Sequence, residues 1–213
     1  AVFNVGGLSS AQKEILKDAT LISLNGMPAD DFIKACAAPL IDRPALNEVV
    51  ALGWLSIDKD DVLTMHPILS DMLAADKSIK RRQSYCNLAE HFAAGCNPEH
   101  EHFTAVMNKL ACAKQLVRRY INEPIESQIE VNAKLGRMYH AVYQYDNAKK
   151  YLNAALNMTK HATDPVYGNY MPIFIYHFLG SVEKSLGVKG QAVEYFKRCI
   201  NEAKKIKNRT YFI

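Results

Sequence analysis

The sequence predicts a mainly α-helical chain in two parts, a small helical module carrying a β-hairpin and, behind it, a stack of helix pairs. Three observations predict this. Within Pro44–Met72 a helix-period apolar set (Leu46, Val49, Val50, Leu52) stops at Gly53, and two short apolar runs, Trp54–Leu55–Ile57 and Val62–Leu63–Met65, flank the polar turn Asp58–Lys59–Asp60–Asp61. Past Arg82 no strand signal occurs, and amphipathic helix patterns follow one another with short polar breaks. Finally, Leu135–Gly136, Tyr139, Ala148, Tyr151–Leu152 and Ala155–Leu156 return 44 residues later as Leu179–Gly180, Glu183, Ala192, Tyr195–Phe196 and Cys199–Ile200. A fixed period of that size over helix pairs marks an α-solenoid.

In chain order, Ser9 or Ser10 caps a first helix with apolar positions at Ile15, Leu16, Ala19, Ile22 and Leu24, ended by Asn25–Gly26. Met27–Pro28–Ala29–Asp30–Asp31 opens the second, with proline in the first turn and acids at the positive end of the dipole; Pro39 stops it. Asp42–Arg43–Pro44 opens the third by the same logic, and Pro67 starts a fourth through Ile68, Leu69, Met72 and Leu73. Helix, hairpin, helix with further helices on either side reads as a winged-helix domain over residues 1–78, with a two-stranded wing that delivers His66 to the mouth of the fourth helix. Residues 79–124 read as connecting helices or a degenerate first repeat, one helix being marked by Phe103, Val106, Leu110, Ala113, Val117 and Tyr120. Residues 125–213 hold the helical repeats, with breaks at Thr163–Asp164–Pro165 and Gly187–Val188–Lys189–Gly190.

Charge divides along the same line. Residues 1–78 hold six Lys/Arg against eleven Asp/Glu, and the remainder twenty against eleven. DNA affinity comes largely from cations on phosphates, so an acidic first module argues against DNA reading and leaves a protein-facing or nucleotide-facing role. The five cysteines are scattered with no Cys-x-x-Cys pair, which supports neither a disulfide framework nor a zinc ribbon. No apolar run approaches the roughly 20 residues of a membrane span and no signal-peptide pattern opens the chain, so the expected location is cytoplasmic.

Two family resemblances rest on these residues. Leu135–Gly136, Ala148 and Ala155, with small residues where two helices must approach closely, resemble a tetratricopeptide repeat of the longer variety; the second copy carries Glu183 where tyrosine is usual and Cys199 for alanine. The order VFNVGGLSSAQKEIL, GMPADDF, LNEVVALGWL, wing, MHPILSDM is similar to the winged-helix segment of the STAND-class (NB-ARC-like) signal-transduction NTPases. That resemblance implies a C-terminal part of a larger ATPase, with the phosphate-binding loop upstream of Ala1 and repeats acting as the sensor. It also implies that His66 of the Met65–His66 motif reaches the phosphate of bound ADP, although Pro67 stands where the family has an acidic residue. ADP or ATP is thus expected only in the longer protein, with no cofactor held by this segment.

No catalytic pattern is present: Gly-Lys-Ser/Thr, Gly-x-Ser-x-Gly and His-Glu-x-x-His are all missing from the sequence. His91, Cys96, His100 and His102 place four possible zinc donors within twelve positions, but the spacing fits no closed-site pattern, and no metal is expected. Lys80–Arg81–Arg82 reads as a solvated turn at a domain join. The first helix of each repeat should line a concave face carrying Glu130, Arg137, His140 and Ala141 from one unit and Phe174, His177, Ser181 and Lys184 from the next, suited to an acidic or mixed peptide or partner helix. The function expected is therefore non-catalytic: a sensor whose repeats bind a protein or peptide and whose winged helix relays that contact to an upstream nucleotide-binding domain. The alternative is a winged-helix DNA-binding regulator with repeats for dimerisation or sensing.

Overall fold

A computed structural model of the chain describes residues 5–22, 24–36, 41–75, 87–88, 91, 103–119 and 125–210. Pro39, Lys80–Arg82, Cys96, His100, His102 and Tyr211–Ile213 lie outside the described residues. Those that are described fall into two compact units, one containing the residues up to Arg119 and the other those from Ile125. The chain is mainly helical, with one small three-stranded antiparallel sheet among the described residues.

Unit 1 begins with α1 (Ser10–Ala19), whose N-cap is Ser9: its hydroxyl accepts from Gln12 N–H while the Gln12 side chain accepts from Ser9 N–H. This capping box decides between the two serines. The helix stops at Ala19, earlier than its apolar periodicity implied, with Thr20 capping it and donating its hydroxyl to the Lys17 carbonyl. The continuing apolar residues Leu21 and Ile22 are buried, but Leu24 points to solvent, so the periodicity reflected a mixture of helix and turn.

The sheet corrects the sequence reading of a two-stranded wing. Met27–Pro28 forms strand β1 and the second helix, α2, starts only at Ala29 (Ala29–Cys36). β2 (Leu55–Ile57) and β3 (Val62–Met65) form the expected hairpin, with Leu55 opposite Met65 and Ile57 opposite Leu63; β1 pairs on the other side of β3, giving the order β1-β3-β2. Two residues carry no alternation to read, and proline is tolerated there because the strand lies at the sheet edge. Gly26 allows the close approach: with φ 71° it lies so near the Leu63 carbonyl that an added Cβ would collide.

α3 (Arg43–Ala51) opens as the sequence predicts, with Asp42 accepting from Ala45 N–H at 2.8 Å, and closes before Gly53 at φ 77°. Asp58 organises the hairpin turn by accepting from both Asp60 and Val62 N–H at 2.9 Å. Ile15, Leu16, Phe32, Leu46, Val49, Trp54 and Leu63 form the core, against which β3 alternates Leu63 and Met65 inward. α4 (Pro67–Ala74) follows the sheet, and α5 (Phe103–Arg119) turns Val106, Leu110, Ala113 and Leu116 inward at helical spacing.

Unit 2 is two helical hairpins, α6 (Ile125–Ala141) with α7 (Tyr145–Thr159) and α8 (Met171–Ser185) with α9 (Lys189–Thr210). A Cβ built on Gly136 would lie 2.6 Å from Leu152 Cγ and 3.2 Å from the Ala148 carbonyl, and one on Gly180 would lie 2.7 Å from the Phe196 ring. A small residue therefore stands where each pair of helices touches, the reason the two glycines recur at the repeat period, and the approach is tighter against backbone at Gly136 than at Gly180. Ala148 and Ala155 are fully buried in the first seam.

This 44-residue period is ten longer than the ordinary 34, and its longest connection is the eleven residues between α7 and α8. There Asp164 caps the chain by accepting from Val166 N–H at 2.8 Å, and Val166–Tyr170 winds as a π-helix in which Met171 N–H reaches the Val166 carbonyl. Pro172, just inside α8, has no N–H to return to Gly168, so the ordinary ladder is interrupted at that point.

Candidate functional site

In unit 2 the first helices of the two hairpins, α6 and α8, lie side by side, and four of the residues predicted for their shared face come together. Phe174 and Phe178, one turn apart on α8, have ring centroids 4.7 Å apart. Arg137 sits over the Phe178 ring at 6.0 Å and Lys134 over Phe174 at 5.8 Å. His140 meets the edge of Phe178 at 6.1 Å, and His177 packs against the same ring at 5.2 Å and against Phe196 at 6.1 Å. The result is a strip of aromatic surface with a cation over each phenylalanine.

His140 is half-buried, and its pKa is lowered, first by burial, which disfavours the imidazolium, and then by the charge of His177. Lys184 is exposed in the last turn of α8, seven residues beyond His177 and so on the same face. Ser181 donates its hydroxyl to the His177 carbonyl at 3.0 Å within its own helix, and Ala141 ends α6, half-buried. Glu130 takes a different part: its carboxylate accepts from the Tyr167 hydroxyl at 2.9 Å, tying the π-helical segment to α6. One turn earlier Glu126 accepts from Thr163 N–H and hydroxyl at 3.2 and 3.0 Å; its pKa is lowered mainly by its own backbone N–H at the helix start, with Thr163 adding to this.

The face read from the sequence includes neither Lys134 nor Phe178. Position 134 was legible in principle, since 130, 134, 137 and 141 follow one helix stripe. No sequence signal places a residue of α6 over a ring of α8.

In unit 1, His66 stands exposed at the junction of β3 and α4. It is the helix N-cap, its Nδ1 accepting from Ile68 N–H at 3.3 Å. A neutral imidazole that accepts at Nδ1 carries its proton on Nε2. Arg43, the sole cation of α3, is engaged by Asp61, with Nη1 to Oδ2 at 3.0 Å and a second contact through Nη2, and by Asp30 at 3.1 Å. The one basic side chain with which this helix could meet phosphate is thus already neutralised within the protein. Of the four possible zinc donors only His91 is described, and no group of three or more His, Cys, Asp or Glu is placed to hold a metal among the described residues. No described helix is long and apolar enough to cross a membrane.

Paired antiparallel helices, glycine-mediated close packing and an open face on the first helices define a helical-hairpin repeat of the interaction type. Residues 129–161 and 175–205 match the model of the tetratricopeptide repeat, so the chain carries two such repeats, each covering one of the hairpins. No curated protein and no solved structure matches the chain.

Proposed function

We propose that the chain is a non-catalytic sensor and coupling segment: unit 2 docks a protein or peptide on the α6–α8 face, and unit 1 passes that contact to a nucleotide-binding domain. The observation that carries the docking role is the convergence of Arg137, His140, Phe174 and His177 around Phe178 on two tetratricopeptide repeats. Aromatic surface interleaved with cations is the material of interaction hot spots.

Unit 1 is read as a winged-helix module. Supporting this are the order helix, strand, helix, helix, hairpin and the strand order β1-β3-β2. The coupling role rests on the resemblance to STAND-class ATPases and on His66, whose exposed ring at a helix N-terminus is suited to donate Nε2–H to an ADP phosphate. The neutralised Arg43 and the acidic turn Asp58–Asp61 weigh against a DNA-reading role.

Affinity purification with the wild-type chain and with a Phe174→Ser/Phe178→Ser/Arg137→Glu variant tests the docking role. Partners should be lost selectively while the variant keeps its helical circular dichroism; an unchanged partner set from a folded variant sinks the reading. In a polypeptide that joins this segment to a phosphate-binding loop, His66→Ala should speed ADP release. Unaltered release would reduce unit 1 to a scaffold.

A further inference from the structure

We propose that the α6–α8 face takes an acidic segment of a partner protein, apolar side chains of the segment seating on Phe174 and Phe178 while its carboxylates meet Arg137 and Lys184. The proposal rests on the docking role given above and adds the chemistry of the partner.

The first ground is charge. Residues 125–213 hold 13 Lys/Arg against 7 Asp/Glu. On the face itself Arg137 and Lys184 stand with His140 and His177, whereas the carboxylates of Glu130 and Glu183 are occupied. Glu130 accepts from Tyr167, and Glu183 is buried on Lys149 at 2.6 Å. A basic segment would meet like charge at Arg137 and Lys184, and a carboxylate-bearing one meets opposite charge there.

The second ground is the apolar content. Phe174 and Phe178 lie one turn apart along α8, and Tyr170, which ends the π-helical segment just before it, is exposed. A ligand recognised by charge alone would gain nothing from this strip, and an amphipathic segment buries apolar anchors along it.

The third ground separates protein from nucleic acid, the other polyanion. Single strands bind such surfaces by stacking bases on open ring faces. Here the guanidinium of Arg137 and the ammonium of Lys134 already lie over the faces of Phe178 and Phe174. A carboxylate can approach these cations at the rim, and an apolar side chain can pack on the ring edges, without dislodging them, which a base stacking on a ring face cannot do.

The test pans a display library of random 16-residue peptides against the full chain and measures the enriched peptides by fluorescence polarisation. Enriched peptides are expected to carry net negative charge with Phe, Trp or Leu anchors, to weaken with added salt, and to lose about tenfold in affinity on Arg137→Glu. Lys184→Glu serves as a second charge reversal should Arg137→Glu disturb folding, and either variant should recover binding to a peptide whose acids are replaced by lysine. Enrichment of neutral or basic peptides that still lose binding on Phe178→Ser overturns the acidic assignment and leaves the docking role standing. If no peptide is enriched, or binding ignores Phe178→Ser and Arg137→Glu alike, the docking role falls and this inference with it. An oligouridylate that binds more tightly than the peptides and displaces them overturns the assignment in favour of RNA.

Discussion

In the first hairpin of unit 2, Gly136 lies against Leu152 and the buried Tyr139 stacks on Tyr151 at 5.4 Å. In the second, Gly180 lies against Phe196, and Glu183 occupies the position of Tyr139. Glu183 is equally buried, and it reaches back to Lys149 of α7, whose pKa is raised chiefly by that hydrogen bond. With its amide turned to donate, Gln191 of α9 also meets the Glu183 carboxylate at 3.1 and 3.2 Å. One period therefore admits two solutions. The first hairpin is held by apolar packing within itself; the second is tied by charge to the hairpin before it, as expected of repeats whose stability is shared with their neighbours.

The sharpest way to break this contrast is Glu183→Ala. Removing one member of a fully buried pair costs about 3–5 kcal/mol, and with Lys149 one-third exposed the expected loss is roughly 2–3 kcal/mol in denaturant unfolding. In a double-mutant cycle with Lys149→Ala the two losses should fall well short of additive; simple additivity would mean that the pair is incidental to the second repeat.

Next in size is the comparison of Gly136→Ala with Gly180→Ala. At Gly136 the new methyl meets Leu152 near its branch point and the Ala148 backbone, so the helices must separate, at about 1–3 kcal/mol for overpacking. At Gly180 the nearest atoms it meets belong to the ring of Phe196, a half-buried side chain that can rotate, so the loss should be below about 1 kcal/mol. Equal losses would show that the second hairpin is packed as tightly as the first.

The smallest effect expected is on pH dependence. His140 has its folded pKa below the ordinary 6.5, so on acidification the unfolded chain takes up a proton before the folded one does. Its contribution is thus present above pH 6.5 and is lost as pH falls through the lowered folded value. Thermal unfolding at pH 7.5 and 5.5 should differ less in His140→Gln than in the wild type. An unchanged difference would remove His140 from the account.

The amino-acid sequence by itself determined the mainly helical class, the hairpin about Asp58–Asp61, the helix starts at Asp42 and Pro67, and the two repeats, because caps, turns and apolar periods act within a few residues of one another. It also determined which residues fall on one stripe of their own helix, since helical spacing is local. Only the tertiary structure decided that Met27–Pro28 is a strand, for two residues have no pattern of their own and pair solely because Gly26 lets them approach β3. It likewise decided that Glu130 is held by Tyr167, that Glu183 is matched by Lys149, and that Arg137 and Lys134 rest on Phe178 and Phe174. Each of those pairings joins residues more than thirty positions apart, at distances set by how closely the helices pack, and close packing is a property of the assembled core.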